Sequence, residues 1–164
     1  CLLSRGLGDV YKRQIETVTQ IAAFKDVVGL FFGAADASAS LGCKLAWEPL
    51  LYARQRVVLA ASMFNLFTID APYFYIDKMA GLKEEAEKVK NLGFTGKAAI
   101  HPDQIDHINE AFSPSAEEKE EAKKVLEEYQ KSGGGAIKVD GQMIDEPIAE
   151  AMRLKITLGE EEKD

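Results

Sequence analysis

The sequence predicts an α/β fold of parallel strand–loop–helix units, followed by a helix–hairpin–helix extension. Two observations carry that expectation. First, three short apolar runs each end in a polar group able to do chemistry: Val27-Val28-Gly29-Leu30-Phe31-Phe32-Gly33-Ala34-Ala35-Asp36, Leu66-Phe67-Thr68-Ile69-Asp70 and Lys97-Ala98-Ala99-Ile100-His101-Pro102. Each precedes a segment that reads as helix, the pattern of strands joined in parallel by crossover helices. Second, the rhythm changes after Phe112, where Ser113-Pro114-Ser115 breaks the chain. Open parallel sheets and β/α barrels alike carry functional groups at the carboxyl ends of their strands. Asp36, Asp70 and His101 are therefore expected on one rim.

Taken in order, Val18, Ile21, Ala22 and Phe24 fit one face of a helix over residues 15–25, which makes Glu16 an exposed helical residue. Residues 27–32 are continuously apolar, as in a strand covered on both faces. A helix is expected over 51–64, with Val57, Val58, Ala61 and Phe64 inward and Arg54 and Arg56 toward water. Residues 67–70 form the second strand. In the helix over 81–92, Leu82, Ala86, Val89 and Leu92 turn inward, Lys83, Glu84, Glu87 and Lys88 are solvated, and Gly93 takes the left-handed cap. Residues 97–100 read as the third strand, which puts Lys97 at the end opposite the rim. The third helix is expected over 104–112, with His107 at its surface.

Beyond the break, Ser115 and Glu118 make a capping box for a helix through Gln130. Residues 117–124 are that helix's exposed side. Ser132-Gly133-Gly134-Gly135 is a turn; it lacks the Gly-Lys-Ser/Thr ending of a phosphate-binding loop. Asp140-Gly141, between residues 136–139 and 142–144, is the strongest hairpin signal in the chain. Pro147 opens a last helix with Ile148, Ala151, Met152 and Ile156 on one side, and residues 160–164 are a charged tail.

An apolar fraction of 46% with mixed charges is that of a globular protein. The net charge of −7 gives no electrostatic case for nucleic acid. The longest apolar stretch, residues 57–67, is too short to span a bilayer. Cys1 and Cys43 make neither a disulfide framework nor a metal-binding pair, which points to a reducing, cytoplasmic setting. Residues 1–14 read as an artefact: Asp9-Val10-Tyr11-Lys12-Arg13-Gln14 is encoded by one frame of a transposon-end adaptor. The expected organisation is thus a β/α array over 15–112 and an extension over 113–164, in a chain truncated upstream.

Three of the candidate residues have two readings each. Asp36 is either a strand-end ligand for Mg²⁺, which takes one or two carboxylates and leaves other positions to water or substrate, or an N-cap. Asp70 either orients a substrate or stabilises the turn into Ala71-Pro72. His101 is held extended by Pro102 and is either a rim residue facing substrate or a structural histidine. Asp145 is locally a helix N-cap, with Glu146 favourable at the positive helix end.

Gly33-Ala34-Ala35-Asp36 with Leu41-Gly42, Ile69-Asp70, Gly93-Phe94-Thr95-Gly96-Lys97-Ala98-Ala99-Ile100-His101-Pro102-Asp103-Gln104-Ile105, Ala111-Phe112-Ser113-Pro114-Ser115 and Asp140-Gly141-Gln142-Met143-Ile144-Asp145-Glu146-Pro147 occur in this order. Together they resemble the C-terminal half of a citrate lyase β-subunit-like CoA-ester lyase, within the aldolase/citrate lyase family that includes malyl-, β-methylmalyl- and citramalyl-CoA lyases. The resemblance spans about residues 18–156. It implies a TIM-type (β/α)8 barrel whose last three units are those above, with a C-terminal extension; a full barrel takes about 250 residues.

The resemblance also implies Mg²⁺ (or Mn²⁺), a CoA thioester and a 2-oxo acid, with the metal acting as a Lewis acid on the keto acid. Asp36 matches the metal-binding Asp; the partner Glu and a substrate-binding Arg fall upstream of this chain. Asp145 matches an acidic residue that reaches a neighbouring subunit's site and assists proton transfer, which implies a homo-oligomer, a trimer or hexamer. Asp70 and His101 remain rim residues, carried as candidates for substrate binding. Ala35 stands where the family has an acidic residue, a departure in the metal's support. The implied reaction is carbon–carbon cleavage of a 3-hydroxyacyl-CoA or its reverse, with this chain inactive alone. The alternative is a non-catalytic CoA-binding or scaffold member of the same fold.

Overall fold

The structure, a computed structural model, describes residues 12–133 and 135–158. Within the chain two compact units divide between Phe112 and Ser113. In the first, β1 (Gly29–Phe31), β2 (Phe67–Asp70) and β3 (Gly96–Lys97) form one sheet in that order. All the pairings are parallel, with Leu30 opposite Thr68 and Asp70 opposite Lys97. The helices are α1 (Val18–Ala22), α2 (Ala34–Leu41), α3 (Trp47–Ser62), α4 (Met79–Leu92) and α5 (Ile105–Phe112), the last entered through a 3₁₀ turn at Pro102–Gln104. Residues 12–16 are also helical, and Glu16 is exposed on them as expected.

The expected strands are present but shorter. The third is only two residues long, so Lys97 closes it and residues 98–99 already leave the ladder. Lys97 therefore lies at the rim end, the reverse of the sequence expectation. Thr95 offsets the brevity of β3: its Oγ1 accepts from the Thr68 N–H and donates to the Thr68 carbonyl, both at 2.9 Å.

Parallel partners share a face of the sheet. Thr68, Asp70 and Lys97 are buried beneath the helices, with α3 packed on β1 and β2 and α4 on β3. On the other face Phe31 and Phe67 remain 61% and 67% exposed. The expectation that residues 27–32 are covered on both sides is thus corrected: the described residues cover one. The core gathers Val18, Phe32, Leu50, Val57, Ala60, Val89 and Phe94. A fully buried Leu such as Leu50 contributes about 1.5–3 kcal/mol.

Two side chains of α3 differ from expectation. Phe64 lies past the helix end and is exposed, whereas Arg54 is buried. Its position, four residues after Leu50 and three before Val57, puts it on the apolar face. Arg56 is half-buried and donates to the Glu16 carbonyl at 3.1 Å. Gly93 ends α4 with φ +104°, as the left-handed cap requires.

The second unit is α6 (Ala116–Lys131), β4 (Ile137–Val139), β5 (Gln142–Ile144) and α7 (Glu146–Leu158). Both bonds of the Ser115–Glu118 capping box are formed. β4 and β5 pair antiparallel around Asp140 and Gly141, both at positive φ (47° and 91°), the two-residue turn that matches strand twist. The core of this unit is Val125, Leu126, Tyr129, Val139, Ile144 and Ala149. Ala149 fills it in place of Ala151, which is exposed.

Candidate functional site at the strand ends

Asp36 is the third residue of α2, the helix that leaves the carboxyl end of β1 after Phe32 and Gly33. Gly33 is the N-cap and makes no side-chain cap bond, so the local alternative of an Asp36 cap is not realised. The carboxylate is exposed in the first helical turn, where the helix dipole favours negative charge. One exposed carboxylate with room for water suits Mg²⁺. Among the described residues no group of three or more His, Cys, Asp or Glu gathers around it.

Asp70, at the end of β2, has no exposed surface. Arg54 Nε donates to its Oδ1 at 2.8 Å and Lys97 Nζ to its Oδ2 at 2.9 Å. Lys97 also donates to the Ala71 carbonyl and to Glu85 Oε1, both at 2.7 Å. The Arg54 guanidinium lies 5.1 Å from the Phe32 ring centroid and 4.7 Å from that of Trp47. Two cations and two carboxylates are thereby balanced beneath the rim, although Arg54 Nη1 is buried without a hydrogen-bond partner. Asp70 supports the rim from below. Arg54 and Lys97 were missed as site residues; a charged side chain at core spacing on α3 was the available signal for the first.

The loop after β2 is fastened at several points. Lys97 holds the Ala71 carbonyl, Gln104 Nε2 donates to the Tyr73 carbonyl at 2.9 Å, and the Tyr73 hydroxyl occupies the space a Cβ on Gly81 would need. Burial and then the Glu85 carboxylate raise the Tyr73 hydroxyl above its ordinary pKa, keeping it a neutral donor. Phe74, Tyr75 and Ile76 are left exposed on this fastened loop. A cleft lined by Ala34, Leu50, Arg54, Pro72, Tyr73 and Glu85 opens beside it.

His101 is extended, with φ −143° and ψ 142°, as expected before proline. Its Nδ1 accepts from the Asp103 N–H at 3.3 Å, capping the 3₁₀ turn. The same Nδ1 lies 3.5 Å from Asp103 Oδ2, so both contacts use one ring nitrogen and Nε2 is the other. In the second unit, Asp145 Oδ1 accepts from the Ile148 N–H at 3.3 Å and caps α7. Beside it, Tyr129 and Arg153 both donate to Glu146. These bonds, that from Arg153 first, lower the Glu146 pKa.

The sequence model of the HpcH/HpaI aldolase/citrate lyase family matches residues 12–102, from the start of the described chain to the rim histidine and its proline. The chain belongs to this family. Human mitochondrial citramalyl-CoA lyase is 37% identical over 154 residues, covering 91% of this chain and 45% of the relative. The citrate lyase subunit beta of Haemophilus influenzae is 34% identical over 146 residues, covering 85% and 50%. Among solved structures, the protein CitE of Mycobacterium tuberculosis, in complex with magnesium, acetoacetate and coenzyme A, superposes with a TM-score of 0.82 at 31% identity. That match covers 91% of this chain and 58% of CitE. The chain spans about half the length of the curated relatives it matches. No helix among the described residues is long and apolar enough to cross a membrane.

Proposed function

We propose that this chain supplies the last three strand–helix units and the C-terminal extension of a β/α-barrel CoA-ester lyase, acting in the cytoplasm. The reaction is carbon–carbon cleavage of a 3-hydroxyacyl-CoA such as malyl-, methylmalyl-, citramalyl- or citryl-CoA, giving an acyl-CoA and a 2-oxo acid, or the reverse condensation. The observation that carries this reading is the exposed carboxylate of Asp36, one helical turn past a strand end, in a chain of this family. CitE, its structural relative, was solved with magnesium and coenzyme A.

In this reading Asp36 holds Mg²⁺ or Mn²⁺ together with a Glu from the preceding strand. The bound metal polarises the carbonyl of the 2-oxo acid as a Lewis acid. His101 offers its Nε2–H to substrate oxygen on the rim, and Asp70, clamped by Arg54 and Lys97, holds the adjoining loop in register for it. Asp145 moves a proton at the α-carbon of the acyl group, in the site of a neighbouring subunit of a homo-trimer or hexamer. It is added at that carbon when the bond breaks, as the 3-hydroxyl gives up its own proton to become the keto oxygen, and both transfers reverse when the bond forms. The α7 cap leaves Oδ2 of Asp145 for that work.

The test is an assay of the full-length protein against the four thioesters in Mg²⁺, following the acyl-CoA and 2-oxo acid products. Turnover of at least one is expected, and none from the 164-residue chain by itself. A second reading, a non-catalytic CoA-binding or scaffold member, is favoured by Ala35 beside the metal ligand. Coenzyme A binding without turnover of any thioester would select it.

A further inference from the structure

Gln104 is fully buried although it is polar, and it spends both ends of its amide on backbone groups of two different loops. Its Oε1 accepts from the Ile100 N–H at 2.9 Å, just ahead of His101, and its Nε2 donates to the Tyr73 carbonyl at 2.9 Å, 31 residues away in sequence. β3 ends at Lys97 and no ladder bond reaches Ile100. The amide bridges the loop after β2 and the loop after β3. We propose that Gln104 is a positioning residue: it couples the His101 loop and the Tyr73–Tyr75 loop into one mechanical unit, so that the rim opens and closes as a whole.

Loss of the amide would take from the Ile100 N–H and the Tyr73 carbonyl, both in part-buried bonds, the partner that joins them. Lys97 pins Ala71, two residues upstream, and so anchors the loop's root and not its tip. Gly81 receives the Tyr73 ring but holds none of its backbone. The coupling is a property of the chain itself; only its use in aligning a substrate rests on the lyase reading above.

Amide hydrogen exchange on the whole chain tests it. In the wild-type protein the Ile100 amide and the Lys78 amide, which donates to the Tyr75 carbonyl, should open together in one step under mild denaturant. The Phe32 amide, bonded to Ile69, should open separately and later. In Gln104→Leu, protection at Ile100 and Lys78 should fall at least about tenfold with Phe32 within about twofold, since local openings are set by local bonds.

Gln104→Glu supplies a readout that simple packing would not move. A protonated Glu accepts from Ile100 and donates to the Tyr73 carbonyl, whereas an ionised one repels that carbonyl. Lys78 protection in this variant should therefore recover as pH falls through the raised pKa of the buried carboxyl, with no such step in the wild type. Should Gln104→Leu not fold, the wild-type and Gln104→Glu measurements decide. Independent opening of Ile100 and Lys78 in the wild type, or loss of protection spread evenly to Phe32, overturns the proposal. These outcomes do not depend on whether any thioester is cleaved.

Discussion

Asp70 sits where water cannot reach it, between two cations that are themselves buried. Removing its charge strands both of them in a low-dielectric site. Asp70→Asn is therefore expected to cost about 3–5 kcal/mol. The single tryptophan, Trp47, stacks on Arg54, so its fluorescence during urea unfolding reports the loss directly. Asp145 has the opposite character: one oxygen caps α7 and the residue is only half-buried. Asparagine caps as well as aspartate, whereas alanine costs about 1 kcal/mol. Asp145→Asn should therefore preserve the unfolding midpoint of the chain while abolishing turnover of the full-length protein, and Asp145→Ala should lose both. Equal turnover in wild type and Asp145→Asn would remove the residue from the chemistry.

At the scale of elements, α4 carries a glycine inside a helix, ordinarily a loss of about 1 kcal/mol against alanine. Tyr73 explains it, because its hydroxyl fills the position of the missing Cβ. Gly81→Ala should expel the Tyr73 ring and destabilise the first unit, while in a Tyr73→Leu background the same change should be neutral or stabilising. A double-mutant cycle should show coupling of about 0.5–3 kcal/mol. In the second unit, Arg153 and then Tyr129 lower the pKa of Glu146, so its stabilisation is present above the ordinary Glu pKa and is lost as pH falls through the lowered value. Tyr129 is raised, chiefly by its bond to Glu146, so its contribution is present below the ordinary Tyr pKa and is lost as pH climbs past the raised value. Circular dichroism should show the α6–hairpin–α7 unit loosening at both extremes, and Tyr129→Phe should weaken the alkaline step and move the acid step up toward the ordinary Glu pKa, since the lost bond also helped lower Glu146.

The same elements show what one sequence can and cannot disclose. The capping box at Ser115, the Asp140-Gly141 hairpin and the Gly93 cap depend on a few neighbouring residues, and all three form as read. Arg54 and Lys97 depend on a carboxylate 16 and 27 residues away respectively. Their burial is written in tertiary pairing, which local periodicity does not see. Strand length misled for a related reason: Ala98-Ala99-Ile100 is apolar enough to extend β3, yet Lys97 and Gln104 draw the backbone into the rim instead.

Over the whole molecule, the sheet has one face built and one face bare. Phe31 and Phe67 lie on the bare side, and β1 is an edge strand among the described residues. A parallel sheet is stable with both faces covered. The 164-residue chain should therefore self-associate at micromolar concentration in size-exclusion chromatography, and Phe31→Ser with Phe67→Ser should shift it toward monomer. In the full-length protein the same two substitutions should destabilise, since the other strands of the proposed barrel would bury those rings. The bare face and the strand-end carboxylate both fit the proposed reading, an arc of a barrel whose rim carries the chemistry. The most direct measurement is the metal dependence of thioester cleavage by the full-length protein and its Asp36→Ala variant, followed as acyl-CoA release against Mg²⁺ concentration. Mg²⁺-dependent turnover in the wild type, lost by at least about a hundredfold (about 2.7 kcal/mol) in Asp36→Ala, is the predicted result. Undiminished turnover in the variant, or a wild-type rate indifferent to Mg²⁺ and to its chelation, would contradict it.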